Sequence, residues 1–233
     1  MTPGQLLREG LAVYGLPADA AAIEGLEEFS RRLLERNQVM NLTAITDPCD
    51  VAALHLLDCA YLLTAADFRG KSVVDVGTGA GFPGMPLRIL EPNFDLTLLD
   101  SLGKRVDFLR RVTEELGLAG QVELLWIRAE ELGQDAKRRA SYDFACARAV
   151  AALPTLAEYL LPLVRQGGAM LAWKGPGLAE ELARAQRALD LLGGGRRTLD
   201  HYGLGGQQLT LARIEKSRPT PEAYPRKNGK PSR

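Results

Sequence analysis

The segment Val73-Val74-Asp75-Val76-Gly77-Thr78-Gly79-Ala80-Gly81 runs an apolar stretch of strand type directly into a glycine-rich turn. Glycine at Gly77, Gly79 and Gly81 lets backbone approach a ligand closely, in conformations a side chain forbids. A dinucleotide fingerprint needs glycine at position 82, where this chain has Phe82, so the nicotinamide reading loses its third glycine. A glycine turn that serves packing alone is the plainer alternative. Asp100 closes the next apolar run, at the point where a carboxylate can accept two hydrogen bonds from ribose hydroxyls. A solvated strand-end acid would look the same. Glu130, after the third run, reads either as a ligand contact or as an acid in the first turn of a helix. Arg148, in Ala147-Arg148-Ala149-Val150, stands at the mouth of the expected cleft, with a surface arginine as the alternative.

Other chemistry is poorly supported. Three cysteines, Cys49, Cys59 and Cys146, and two histidines, His55 and His201, show neither disulfide nor metal-ligand spacing, so no metal is expected. Cys146 lies inside an apolar strand without a neighbouring proline and reads as core. The 29 basic and 29 acidic residues cancel, but they are unevenly spread. From Arg213 onward seven basic residues face Glu215 and Glu222, an excess of five positive charges and a candidate polyanion contact. The N-terminal residues lack a signal-peptide apolar run, and no later stretch is expected to reach membrane-spanning length. A reducing cytoplasm fits best.

Holding these residues requires a frame, and the pattern predicts one. Ile23, Leu26, Phe29, Leu33, Asn37 and Met40 recur at spacings of three and four, which predicts an amphipathic helix from about Asp19. Asp47-Pro48 opens another, with His55 and Asp58 three apart on one face. After Gly70, strand-type runs at Ser72 to Val76, Leu96 to Leu99, Val122 to Ile127, Phe144 to Ala147 and Ala169 to Trp173 alternate with helical segments. Those segments are Leu102 to Leu116, Pro154 to Val164 and Leu178 to Leu191. Such alternation predicts an α/β fold, a doubly wound and mostly parallel sheet preceded by helices over about residues 1–68. Arg196 to His201 and Gln207 to Ile214 read as a closing strand pair. A single domain over residues 1–218 is expected, with Pro219 to Arg233 as an extended basic tail.

Asp-x-Gly-x-Gly-x-Gly after a first strand resembles motif I of class I (Rossmann-like) methyltransferases, with Asp75 as its acid and a ligand that has no pyrophosphate. The fourth strand lacks the Asn-Pro-Pro-Tyr or Asp-Pro-Pro-Tyr cradle of exocyclic amine methylation. A more specific likeness rests on several ordered motifs: Asn41-Leu42-Thr43-Ala44-Ile45, His55-Leu56-Leu57-Asp58, the glycine turn with Phe82-Pro83-Gly84, Asp100-Ser101 with Lys104-Arg105, Ala147-Arg148-Ala149-Val150, Lys174-Gly175 and Tyr224-Pro225-Arg226-Lys227. Together they resemble the bacterial 16S ribosomal RNA guanine-N7 methyltransferase family, also called glucose-inhibited division protein B. Cys59, where the family often has serine, and Asn228, where alanine is usual, depart from the pattern.

The resemblance implies an S-adenosylmethionine-dependent enzyme that methylates N7 of a guanine in the 530 loop of the small-subunit RNA. Its partner would be 16S rRNA in the small ribosomal subunit, with neither DNA nor membrane. Gly77, Phe82, Ala129, Glu130 and Arg148 match the family's cofactor-binding positions; Ala129 and Glu130 fall where class I enzymes meet adenine. Asn41, His55 and Lys174 are implied as cleft or RNA-facing residues. His55 bonded to Asp58 and Asn41 capping a turn remain open alternatives. Lys104, Arg105, Lys174, Arg226, Lys227 and Lys230 are the candidate phosphate contacts. N7 carries a lone pair and no proton, so no general base is required. The rivals are a class I methyltransferase acting on another RNA site or a small molecule, a nicotinamide oxidoreductase, and an RNA module that binds cofactor without turnover.

Overall fold

In a computed structural model of the chain, residues 1–175 and 177–226 are described. Helix α1 (Pro3–Val13) starts on a reciprocal capping box, Thr2 with Gln5, and has proline in its first turn. Helix α2 (Ala20–Met40) is capped by Asp19, whose carboxylate accepts from Ala22 N at 2.7 Å. Its buried stripe is Ile23, Leu26, Phe29, Ser30 and Leu33, and it ends at Asn41 in a left-handed conformation (φ 50°) that asparagine tolerates. Asp47 caps a third helical run made of α3 (Pro48–Val51), a π-helical stretch (Ala52–Leu57), α4 (Asp58–Ala60) and α5 (Leu62–Ala65). By length and composition this run could cross a membrane, contrary to the sequence expectation. Here it is a core element, with Val51, Leu56, Cys59, Ala60 and Leu62 buried and Asp58 ion-paired inside.

The strands are β1 (Ser72–Val76), β2 (Asp95–Asp100), β3 (Val122–Trp126), β4 (Tyr142–Ala147), β5 (Val164–Lys174), β6 (Gly194–Leu204) and β7 (Gln207–Lys216). They form one sheet in the order β3-β2-β1-β4-β5-β7-β6, in which only β7 runs antiparallel to its neighbours. Successive side chains alternate between the two faces. Val73, Phe144, Cys146, Ala169 and Leu171 therefore join the cluster built on α1, α2 and the third helical run, together with α6 (Gly84–Leu90) and α7 (Gly103–Glu115). Val74, Ala145, Ala147, Met170 and Ala172 join the opposite cluster, with α8 (Ala129–Leu132), α9 (Leu153–Leu160) and α10 (Leu178–Leu191). A sheet covered on both faces explains why its central strands read as nearly continuous apolar runs. The helix expected to continue to Val164 stops at Leu160, and Val164 instead opens β5 beside Tyr142.

The C-terminal segment differs from expectation over its described part. Residues 219–226 are packed, because Arg139 donates to the carbonyls of Thr220, Pro221 and Tyr224 as well as Gly133. Gln134 donates to Pro225 O at 2.7 Å. Just before it, the buried Lys216 ammonium donates to Leu161 O and Leu192 O, the carbonyl ends of α9 and α10, and to Thr220 Oγ1. Lys227 and Lys230, expected to extend the basic surface, lie outside the described residues.

Arg139→Ala should release this segment, since charge-assisted hydrogen bonds contribute about 1.5–3 kcal/mol each. Amide exchange over residues 218–226 should accelerate about tenfold or more, with β1 and β4 unaffected. Unchanged protection there would show that the segment is held by something else.

Candidate active site

Strand order reverses direction between β1 and β4, which opens a crevice at the carboxyl ends of the strands. The glycine turn sits there. Asp75 ends on the inside: it is fully buried, accepting from Thr78 Oγ1 at 2.7 Å and Gly84 N at 2.9 Å. Burial pushes its carboxyl up to about 7. It therefore shapes the turn and has no surface from which to touch a ligand, a correction to its expected cofactor contact. Asp100 latches the turn from β2, accepting from Gly79 N at 3.0 Å and Leu102 N at 2.8 Å, with Arg105 Nη1 at 3.4 Å. A carboxylate offers about four lone-pair positions, so three donors leave one for a ribose hydroxyl, at a side chain that is 3% exposed.

Gly77 (φ 69°) lines the cleft, and a Cβ there would lie 2.8 Å from Val150 Cγ2. Gly79 (φ 60°) faces open space. Gly81 is packed against Met85 and Leu109, so it serves packing rather than approach. The cleft, about 220 Å³, is walled by Val76, Leu99, Ile127, Ala129, Val150 and Ala151, with Ser101, Arg128, Glu130 and Tyr159 at its polar edge. Glu130 Oε1 accepts from Arg128 Nη2 at 3.0 Å. Apolar walls, a glycine floor and a carboxylate at the end of β2 suit an adenosyl group, so the donor set fits S-adenosylmethionine.

Arg148 leaves the end of β4 and turns toward the helical N-terminal region. Its guanidinium donates to Asp58 Oδ2 at 2.7 Å, His55 Nδ1 at 2.7 Å and Leu54 O at 3.3 Å, and stacks 5.0 Å above the Phe82 ring. His55 Nε2 meets Thr43 Oγ1 at 2.8 Å. Since Arg148 can only donate, Nδ1 is the acceptor and the proton sits on Nε2. Burial, and then the neighbouring Arg148 charge, depress His55 to about 4. Asp58 is closed off further by Tyr202, whose hydroxyl donates to Oδ1 at 2.5 Å. His55 and Asp58 thus share Arg148 rather than bonding each other, which sets aside the alternative of a His55–Asp58 bond. Phe82 is 6% exposed, held between His55 (4.7 Å) and Phe29 (5.7 Å) as well as Arg148.

Three further candidate residues lie outside the cleft lining. Lys174 donates to Glu181 Oε2 (2.8 Å) and Ala151 O (2.9 Å), and only 8% of its side chain is exposed, so it braces β5 against α10 instead of reaching phosphate. Asn41 lines a different groove, about 660 Å³, between α1, α2 and the Thr43–Pro48 loop. Arg226, another expected phosphate contact, pairs with Glu158 Oε2 at 2.7 Å and keeps 43% of its side chain in solvent. Lys104 is exposed and Arg105 partly so. The sequence reading missed Ser101, Arg128, Val150, Ala151 and Tyr159. Val150 belongs to the Arg148 motif and Ala151 follows it, Ser101 follows Asp100, and Arg128 directly precedes Ala129-Glu130, so adjacency was the available signal; Tyr159 carried none.

A 3-2-1-4-5-7-6 sheet with a glycine turn after β1 and an acid at the end of β2 defines a class I, S-adenosylmethionine-dependent methyltransferase. Solved structures agree on the fold. A Methanococcus maripaludis protein described as a methyltransferase of this kind superposes with TM-score 0.57 at 14% identity, covering 81% of this chain and 92% of that one. TrmN from Thermus thermophilus does so with TM-score 0.52 at 22% identity, covering 69% and 48%. The profile of the family described as rRNA small subunit methyltransferase G matches residues 22–210. Relatives named ribosomal RNA small subunit methyltransferase G are 46% identical in Symbiobacterium thermophilum (98% of this chain, 96% of that one) and 44% in Deinococcus radiodurans (100% and 93%). The chain belongs to the rRNA small subunit methyltransferase G family.

Gly79→Arg should abolish cofactor binding, by filling the space in front of the turn and straining a left-handed backbone position. Left-handed strain costs about 1–2 kcal/mol, so the fold should survive. Calorimetric titration with S-adenosylmethionine should show no binding by a folded variant. Unchanged affinity would remove the turn from the site.

Proposed function

We propose that this chain methylates N7 of a guanine in the 530 loop of 16S ribosomal RNA in the small ribosomal subunit, in the cytoplasm. Bound S-adenosylmethionine supplies a methyl group on a sulfonium, and N7 of guanine offers an unprotonated lone pair. The protein's work is then to hold the two in line and keep the site dry; positioning of this kind can lower a barrier by about 7–11 kcal/mol. Gly77, Ala129, Glu130 and Asp100 would hold the cofactor. Arg148, Phe82 and Asp75 hold the walls that hold it.

The observation that carries this reading is the state of His55. Methylating an exocyclic amine or a ribose hydroxyl calls for a base that removes a proton. His55 has its free lone pair committed to Arg148, and at about 4 it is too weak a base near neutrality. Asp58 is committed to Arg148 and Tyr202, and Glu130 accepts from Arg128. A nucleophile that needs no deprotonation suits such a site.

Contact with RNA rests on Lys104 and Arg105 at the start of α7, with Lys227 and Lys230 adding positive charge in the sequence. The target guanine would be taken out of its stack to reach the crevice. The shared hydrophobic cluster joining α1, α2 and the third helical run to the sheet supports one catalytic domain over residues 1–218.

Single-turnover methylation of small subunits should show no titration attributable to His55 from about pH 6 to 8, because His55 stays neutral throughout that range, so the pH profiles of the unaltered protein and of His55→Gln should have the same shape. The product RNA should be cleaved at one guanine after borohydride and aniline treatment, since N7 methylation leaves a positive charge and a labile glycosidic bond. A rate that follows a histidine-like titration, with methylated RNA that resists cleavage, would overturn the N7 assignment.

A further inference from the structure

Trp126 ends the edge strand β3 with 71% of its surface exposed, in a chain whose other tryptophan, Trp173, is buried. Such exposure of a large aromatic is unusual and has a specific form here. A Cβ built on Gly103 would lie 3.0, 3.1 and 3.2 Å from Cε2, Cζ2 and Cδ2 of the indole. Near-equal distances to three fused-ring atoms place Gly103 over the face of the ring. The indole therefore rests one face on a glycine at the start of α7 and turns the other outward. Its N–H is satisfied, donating to Ser101 O at 3.1 Å, so the ring is held in one orientation without using the outer face.

The location matters as much as the orientation. Ser101, which holds the indole, is itself part of the rim of the cofactor cleft, as is Arg128, two residues after Trp126. Lys104 is exposed beside Gly103, and Arg105 and Arg128 keep 37% and 51% of their side chains in solvent. Leu102, 43% exposed, extends the apolar surface. An oriented aromatic face beside the cofactor cleft, on segments that also carry the solvent-reaching Lys104, Arg105 and Arg128, matches the two requirements for holding unpaired nucleic acid: a surface on which a base can stack, and charges that track the phosphates.

We propose that the open face of Trp126 is a stacking platform for an unpaired base of the RNA substrate, seating the strand beside the cofactor cleft while Lys104, Arg105 and Arg128 meet its phosphates. The proposal rests on the RNA reading above and adds to it a contact that is aromatic and tolerant of base identity. It involves no contact between Trp126 and the cofactor.

Fluorescence supplies the test. A single-stranded oligoribonucleotide of about a dozen residues should quench Trp126 emission, a duplex of the same length should quench it little, and Trp126→Phe should abolish the signal. Trp126→Ala should weaken RNA affinity about 5- to 100-fold, and Trp126→Phe should restore most of it, with S-adenosylmethionine affinity unchanged in both. Equal quenching by duplex, or RNA affinity unchanged in Trp126→Ala, would overturn the platform. Loss of S-adenosylmethionine affinity in Trp126→Ala would overturn it in favour of a cofactor contact. Failure of the unaltered protein to methylate small subunits would instead count against the RNA reading itself, so the two failures are separable.

Discussion

The Arg148 guanidinium joins three parts of the molecule that the chain keeps far apart. It starts at the end of β4, bonds His55, Asp58 and Leu54 in the third helical run, and covers Phe82 from the glycine turn. Tyr202 of β6 reaches the same carboxylate, and Trp173 of β5 donates to the Asp58 carbonyl at 3.3 Å. Burying a charge pair costs desolvation, which good geometry and additional hydrogen bonds must offset. Asp58 has both, with each carboxylate oxygen occupied. The cost is offset only when helical run, strand end, turn and antiparallel hairpin are all in place, so the interaction specifies one arrangement of the cleft. The π-helical stretch at Ala52–Leu57 belongs to this requirement: it carries His55 and Leu54, two of the groups that Arg148 grips. Such irregularities often mark functional sites.

This anchor also separates residues that line the cleft from residues that act through others. Asp75 and Phe82 hold the turn from inside; Gly77, Ala129 and Glu130 face the cleft. The same division fits the proposed methyl transfer to an unprotonated nitrogen. His55 and Asp58 are both committed to Arg148, which suits a site that orients a nucleophile rather than one that activates it through either residue.

The glycine turn, the acid of β2 and the five parallel strands were legible in the sequence, because each depends on local pattern: strand alternation, a run into glycine, an acid at a strand end. The closing strand pair was legible for the same reason, though not its insertion of β7 between β5 and β6. Tertiary pairing was not legible. Lys174 looks like any cleft lysine until Glu181, a turn into α10, is seen to hold it, and Arg226 looks like a tail cation until Glu158 takes it. The Pro219–Arg226 segment reads as a tail by composition, yet Arg139, about 80 residues earlier, satisfies its carbonyls. His55 illustrates the limit best. Spacing placed it on one helical face with Asp58, and only the arrival of Arg148 between them shows that the two are not each other's partner.

The direct measurement is the protonation of His55 itself. With only two histidines in the chain, nitrogen-15 spectra of the imidazoles can be assigned by replacing His201. The arrangement around Arg148 requires an unprotonated, hydrogen-bond-accepting Nδ1, a protonated Nε2, and no titration between about pH 5.5 and 8. A His55 that titrates near its usual value of about 6.5, or that carries its proton on Nδ1, would contradict both the Arg148 anchor and a base-free methyl transfer.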